Sequence, residues 1–234
     1  MNDHFGLLNI IQAMDAEFKY LNLRREEEMM KIISISGECG VGKNALADGL
    51  AAIISNSRHI AGDSFMFDSV KRHRNVVLNL YSDVLYDENG DIDYCTVYRK
   101  GRLENDVFIP YIIEHTSEQF DVAINQARKD GIEILILQWV GIHACACWKD
   151  SDVKVQIIAR TESRHNALYN RVDDGCGEEQ AKERDAHWSK ITLDLNNPDI
   201  IVNNDNYSLA EMNNFTREIC SFLQNKSVIV PLLL

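Results

Sequence analysis

Prolines, basic residues and long apolar runs are all scarce in this chain of 234 residues. It has only three prolines, so long helices are permitted because few positions lose their backbone donor. No apolar run approaches the roughly 20 residues that a membrane-spanning helix needs. Lysine and arginine total 24 against 36 aspartates and glutamates, a net charge of −12, which argues against nucleic acid or an anionic membrane as a partner. Any anion site must therefore be a local pocket.

The six cysteines show no paired spacing that would define a disulfide framework. A secretory leader is not evident either, and we expect a reducing, cytoplasmic location. His143, Cys145 and Cys147 lie close together in the sequence. A Cys-x-Cys pair without a second pair is more typical of packing than of a zinc site.

Short segments rich in β-branched residues alternate with helical periodicity from residue 30 onward. Strands are predicted at 31–37, 58–62, 132–140, 153–159 and 200–202, and helices at about 44–54, 104–129, 178–190 and 208–224. This alternation is typical of βαβ units and of a parallel sheet covered by helices on both faces. Residues 1–29 have apolar side chains at helical spacing, which predicts a helical extension ahead of a domain spanning 30–234.

The segment from Gly37 to Lys43 has the pattern of a phosphate-binding loop, and it lies between the first predicted strand and helix. Its glycines allow backbone N–H groups to curl around a phosphate, while the following helix points its positive end there and Lys43 reaches the outer phosphates. We therefore predict a nucleotide site. The predicted contacts are Gly37, Glu38, Cys39, Gly40, Val41, Gly42, Lys43, Asn44 and Ala45.

Asn44 is the main departure from this motif, which has serine or threonine at the same position. The hydroxyl of the motif binds magnesium. Asparagine offers a carbonyl oxygen to a hard cation or caps the helix, so Asn44 is a candidate ligand for Mg²⁺ with lowered affinity. A nucleotide-binding pocket without transfer chemistry is the alternative.

Asp63 is predicted to end the second strand. In an open parallel sheet the carboxyl ends of the strands face the ligand crevice. A carboxylate there can orient an attacking hydroxyl and accept its proton while a phosphoryl group moves. The alternative is that Asp63 caps the helix that follows.

Three arginines, Arg164, Arg171 and Arg184, follow the fourth predicted strand. Arginines on a helical flap can neutralise the oxygens of a transferring phosphoryl group. Arg171 is the first choice because a turn follows it at 173–175. For each arginine the alternative is a solvated helix face.

In these features the chain resembles the dephospho-coenzyme A kinases, a branch of the P-loop small-molecule kinases. The resemblance covers about residues 30–223 and rests on the loop, on Asp63 at the place of the family's catalytic aspartate, and on segments 77–93, 113–116, 155–162, 199–204 and 208–212. It implies a three-layer α/β P-loop NTPase-type fold with a parallel five-stranded sheet, a helical acceptor-binding insertion at about 66–128 and a lid at about 161–190. It also implies that Asn203 and Asn204 border the adenine.

Several positions depart from the family's pattern. The third strand ends in Gln138 and Trp139 instead of an acidic segment, so a carboxylate that would help to hold magnesium is missing. Ala167 and Tyr94 stand where the family has arginines. The phage-type deoxynucleoside monophosphate kinases share the loop and the asparagine-rich end of the fifth strand, and they are the alternative resemblance.

The function that the resemblance implies is ATP-dependent phosphorylation of a small nucleotide-like acceptor, first the 3′-hydroxyl of dephospho-coenzyme A. ATP and Mg²⁺ are the implied cofactors. Lys43 would hold the phosphates, Asp63 would orient the acceptor hydroxyl, and Arg171 would cover the transferring group. We expect neither a nucleic-acid nor a membrane partner, and the sequence leaves the oligomeric state open.

Overall fold

A computed structural model describes residues 30–80, 107–169, 197–205 and 209–225, with the single positions 86, 89, 90, 92, 182, 185, 186 and 188. The chain divides into two units, residues 1–30 and 31–234. The strands and helices of the described residues all belong to the second unit. The predicted helix within 1–29 and most of the predicted helix at 178–190 lie outside the described residues.

Strands and helices alternate along the described part of the chain. The strands are β1 (Lys31–Gly37), β2 (Ser57–Ala61), β3 (Ile134–Gln138), β4 (Val153–Ile158) and β5 (Ile200–Asn203). The helices are α1 (Lys43–Ile53), α2 (Asp63–Arg72), α3 (Arg74–Leu80), α4 (Ile109–Lys129), α5 (Ala146–Lys149), α6 (Thr161–Tyr169) and α7 (Leu209–Asn225). A 3₁₀ turn at Ile142–Ala144 separates β3 from α5. None of the described helices combines the length and the hydropathy that a membrane span requires.

The five strands form one parallel sheet in the order β2-β3-β1-β4-β5. The central strand is β1, where Ile35 lies opposite Gln138 on one side and Val155 on the other. Strands β2 and β3 lie on one side of β1, and β4 and β5 lie on the other. The strand order therefore reverses at β1, and ligands of open α/β sheets bind at such a switch point. The predicted three-layer α/β architecture with a parallel five-stranded sheet is confirmed.

Alternate residues of β1 point to different layers. Ile33 and Ile35 belong to a core that contains side chains of α1 and α7, because successive residues of a strand face opposite sides of the sheet. On the other face, the Ser34 hydroxyl lies 2.6 Å from that of Ser151. The 3₁₀ turn lies on this second face, where Nδ1 of His143 is 3.3 Å from the Ser36 hydroxyl.

Some predicted boundaries were wrong. The second strand ends at Ala61, so Asp63 does not end it and is instead the first residue of α2. Gly62 stands between the two elements as the N-cap, with φ −67° and ψ −20°. The helical backbone of Gly62 turns the chain one residue earlier than the apolar run indicates. Strand β3 is also shorter than the predicted 132–140.

Candidate functional site

The loop between β1 and α1 is a concave arrangement of backbone N–H groups. Gly40 and Gly42 have φ angles of 80° and 96°, a region that glycine enters at no steric cost. Gly42 is the N-cap of α1, so the N–H groups of the first helical turn open toward the loop. The first turn of α1 has no acidic side chain. This geometry is suited to an anion, because the amides and the helix dipole both present positive charge.

Lys43 bends back toward the loop from the first position of α1. Its Nζ donates a hydrogen bond to the carbonyl oxygen of Glu38 at 2.9 Å, and the residue is 8% exposed. The ammonium is therefore held near the backbone N–H groups rather than extended into solvent. A phosphate in the loop would find both kinds of donor, and hydrogen bonds to a charged acceptor are the stronger ones.

Two glycines of the loop are in close contact with neighbouring backbone. A Cβ atom on Gly37 would lie 2.4 Å from the carbonyl oxygen of Ile157 in β4. A Cβ atom on Gly40 would lie 2.6 Å from the carbonyl oxygen of Arg164 and 3.1 Å from Cγ of Leu168. Helix α6, which begins the predicted lid, thus packs directly against the loop.

Charged groups also join α6 to the loop. Arg164 Nε lies 3.1 Å from Oε2 of Glu38, and Arg164 Nη1 donates to Oδ1 of Asp185. The second carboxylate oxygen of Asp185 is 3.1 Å from Nε2 of His165. We call these four residues the Arg164 network. Arg164 is 3% exposed, and a buried charge of this kind is tolerated only when it is paired.

The structure revises the interpretation of Arg164, one of the three arginines of the predicted lid. Arg164 lies on neither a solvated face nor an open phosphate site, since its guanidinium is buried between Glu38 and Asp185. Sequence reasoning missed this pairing because the partners are distant along the chain and no spacing pattern links them. Arg171, the first choice, and Arg184 lie outside the described residues.

Asn204 supports the loop from the end of β5. Its buried Nδ2 donates to the carbonyl oxygen of Val41 at 2.9 Å, and its backbone N–H donates to Ile158 at 2.9 Å. Asn203 is exposed, and its Nδ2 lies 3.3 Å from Oδ2 of Asp205. The structure gives Asn204 a supporting role, while the adenine contact of both asparagines stays a prediction.

Asp63 lies at the same edge of the sheet as the loop but not next to it. Strand β3 separates β2 from β1, so the ends of β1 and β2 are about 10 Å apart, two strand spacings of about 4.8 Å. The Asp63 side chain is exposed. Asp63 thus lies about two strands away from the loop, and its catalytic role stays a prediction.

Asn44 and Gln138, the two positions at which the resemblance implies magnesium ligands, both carry amides. Asn44 is exposed on the first turn of α1, and Gln138 is the last residue of β3. The carboxylate of Glu38 is paired with Arg164. Among the described residues, no three or more His, Cys, Asp or Glu side chains are grouped to hold a metal ion. The donor set therefore does not fit a magnesium ion held by the protein itself.

The Cys145 thiol is buried and lies 3.8 Å from the carbonyl oxygen of Gly141. Hydrogen bonding to Cys147 and burial raise the pKa of Cys145 above its ordinary range. Metal ligation needs the thiolate, so this environment favours a packing role for Cys145.

Comparison with known proteins identifies the fold. The sequence matches no protein-family profile and no curated protein. The protein TT1252 of Thermus thermophilus superposes with a TM-score of 0.60 at 13% identity, over 83% of this chain and 98% of that one. A dephospho-CoA kinase from Campylobacter jejuni superposes with a TM-score of 0.51 at 14% identity, over 85% of this chain and 99% of that one. The chain has a dephospho-CoA kinase-like fold.

The dephospho-CoA kinase-like fold fixes where the loop lies relative to the sheet. It places the loop of residues 37–43 at the centre of the carboxyl edge of the sheet, with the ends of β3 and β4 on its two sides. Identities of 13% and 14% establish this fold and leave the substrate to be argued from the site.

Proposed function

We propose that this protein transfers the γ-phosphoryl group of ATP to a small nucleotide-like acceptor, the 3′-hydroxyl of dephospho-coenzyme A. The observation that carries the proposal is the geometry of the loop, where positive-φ glycines, the start of α1 and the ammonium of Lys43 meet. Several donors directed at one place suit a polyphosphate better than a single anion. The net charge of −12 makes such a local cluster of donors necessary for any anionic ligand.

Asp63 is the residue that we assign to the acceptor. The acceptor hydroxyl oxygen would attack the γ-phosphorus, the bond from that phosphorus to the bridging oxygen would break, and ADP would leave. The proton of the hydroxyl would pass to the carboxylate of Asp63. The exposed position of Asp63 at the carboxyl edge supports this role because it leaves the carboxylate accessible to a bound acceptor.

The remaining candidate residues are assigned to the transferring phosphoryl group and the adenine. We assign Arg171 to the transferring phosphoryl group, since Arg164 is already paired with two carboxylates. Asn203 and Asn204 are assigned to the adenine side. Mg²⁺ would enter with ATP, carried by its phosphates and not by side chains of the loop.

A nucleotide-binding protein without transfer activity is the second candidate. The amides at Asn44 and Gln138 favour it, because both positions hold the metal in P-loop NTPases. A deoxynucleoside monophosphate as the acceptor is a variant of the first candidate. Its phosphate oxygen is already anionic and needs no base, so Asp63 would be dispensable in that reaction.

Release of ADP from magnesium-ATP, measured against dephospho-CoA and a panel of deoxynucleoside monophosphates, tests the proposal. Lys43→Ala provides the blank, and Lys149→Ala, a change at an exposed lysine of α5, provides the matched control. Release above the blank with dephospho-CoA supports the proposal, and release with a monophosphate alone reassigns the acceptor. If the chain binds ATP but releases no ADP above the blank with any acceptor of the panel, the result supports the second candidate.

A further inference from the structure

Gln138 has a buried carboxamide whose two polar atoms are unsatisfied within the described part of the chain. The residue is 0% exposed, and neither Nε2 nor Oε1 has a hydrogen-bond partner there. Its backbone carbonyl, in contrast, accepts a hydrogen bond from Gly62 N–H at 2.9 Å. Nearly all buried polar groups in native proteins are paired, so an unpaired buried carboxamide calls for an explanation.

The pleat of β3 places this carboxamide in the same layer as α1. Ile134 and Ile136 precede Gln138 by four and two residues and pack in the core that includes α1, and residues two apart share a face. Gln138 also lies opposite Ile35 of β1, two residues before that strand ends in the phosphate loop. The side chain is therefore at the carboxyl edge, on the face from which α1 begins.

The position corresponds to the strand end from which P-loop NTPases direct a carboxylate toward magnesium. Asn44 occupies the position of the hydroxyl that completes that metal site. A carboxylate in this place repels a polyphosphate unless a cation lies between them. A neutral glutamine removes the repulsion, and its side chain is one methylene longer than that of aspartate.

We propose that Asn44 and Gln138 make ATP binding to this loop independent of a divalent cation. The Nε2–H group of Gln138 and the Nδ2–H group of Asn44 donate to phosphate oxygens in the place that the metal would take. A donor without a partner gains a charged acceptor when the phosphate enters, and such hydrogen bonds are strong. The inference rests on the proposed function, because it takes ATP as the nucleotide, and it concerns binding and not transfer.

Isothermal titration calorimetry of the full chain with ATP, once in EDTA and once in Mg²⁺, tests this directly. We expect the two dissociation constants to agree within about threefold. In Gln138→Asp, EDTA should weaken ATP binding by about tenfold or more relative to Mg²⁺, because the restored carboxylate repels the metal-free phosphates. Gln156→Asp is the matched control, since Gln156 lies opposite Ser36 on the other face of the sheet.

Asn44→Ser offers a second variant at an exposed position, where folding is not at risk. The restored hydroxyl should make ATP bind more tightly in Mg²⁺ than in EDTA. Wild-type binding that requires Mg²⁺ would overturn the inference and leave the proposed function standing. No ATP binding under either condition would overturn both.

Discussion

Arg164 and Glu38 form an ion pair between helix α6 and the loop of residues 37–43, with Nε 3.1 Å from Oε2. The carboxylate of Glu38 is a negative charge inside a loop that we propose to bind phosphates. Arg164 neutralises it and is itself held from the other side by Asp185. Arg164 thus contributes to the electrostatics of the loop while its guanidinium is committed to protein carboxylates.

Replacing Arg164 should destabilise the fold strongly. Arg164→Ala leaves the buried carboxylate of Asp185 without its counter-charge, and breaking a buried pair in this way costs about 3–5 kcal/mol. Urea unfolding monitored by circular dichroism measures the change. Arg160→Ala, which removes an exposed arginine paired with Asp205, should cost less than about 1 kcal/mol. Equal costs for the two variants would contradict the buried network.

The close approach of α6 to Gly40 predicts a selective loss of ATP binding in Gly40→Ala. The added Cβ would lie 2.6 Å from the carbonyl oxygen of Arg164, so the loop must shift. We expect ATP affinity to fall by about tenfold or more. Gly131→Ala is the control, because Gly131 also has a positive φ of 71° but has nothing within 4 Å of the added atom. Its ATP affinity should stay at the wild-type value, and a matching loss there would remove the steric argument.

His115 makes folding stability depend on pH. Burial and, next, the charge of Arg72 lower the pKa of His115 below its ordinary value of 6.5. Between the lowered pKa and 6.5 the folded state binds fewer protons than the unfolded state. The contribution of His115 to the free energy of unfolding is therefore fully present above pH 6.5 and is lost as the pH falls through the folded pKa. Between about pH 7.5 and pH 5, the urea concentration at the unfolding midpoint should fall less in His115→Gln than in the wild type. An unchanged loss would show that other groups cause the dependence.

Asp63→Asn should lower the turnover with dephospho-CoA by roughly 10²- to 10⁴-fold, the usual contribution of a positioned base. We expect kcat to fall, because a general base acts in the transfer step. The side chain is exposed, so the substitution should leave the stability of the fold nearly unchanged. Asp68→Asn serves as the control, because Asp68 is an exposed aspartate of the same helix, paired with Lys71. Steady-state ADP release measures both variants. Wild-type turnover in Asp63→Asn would remove this residue from the mechanism.

The sheet and the loop were predictable because their signals are local. The apolar run of β1 leads directly into Gly37, and the loop motif ends on Lys43 at the start of α1. Both features depend on residues that are neighbours in the sequence. The predicted end of β2 was wrong because a local signal does not show tertiary contacts. Only the contact of Gly62 with Trp139 shows why the chain turns at that glycine.

The supports of the loop were not predictable, because they join residues that are distant in the sequence. The hydrogen bond from Asn204 to Val41 and the ion pair from Arg164 to Glu38 follow no spacing rule. Gln138 was visible in the sequence as a missing carboxylate. Its burial and its unsatisfied carboxamide became visible only when β3 was placed beside β1.

Phosphorus-31 NMR of the full chain with ATP, Mg²⁺ and dephospho-CoA is the most direct test of phosphoryl transfer at this loop. We predict that the γ-phosphate resonance of ATP declines while ADP and a new phosphomonoester on the acceptor appear together. Lys43→Ala should abolish both products, because the ammonium beside the carbonyl of Glu38 is lost. ATP that persists unchanged, or inorganic phosphate as the sole new product, would contradict the account.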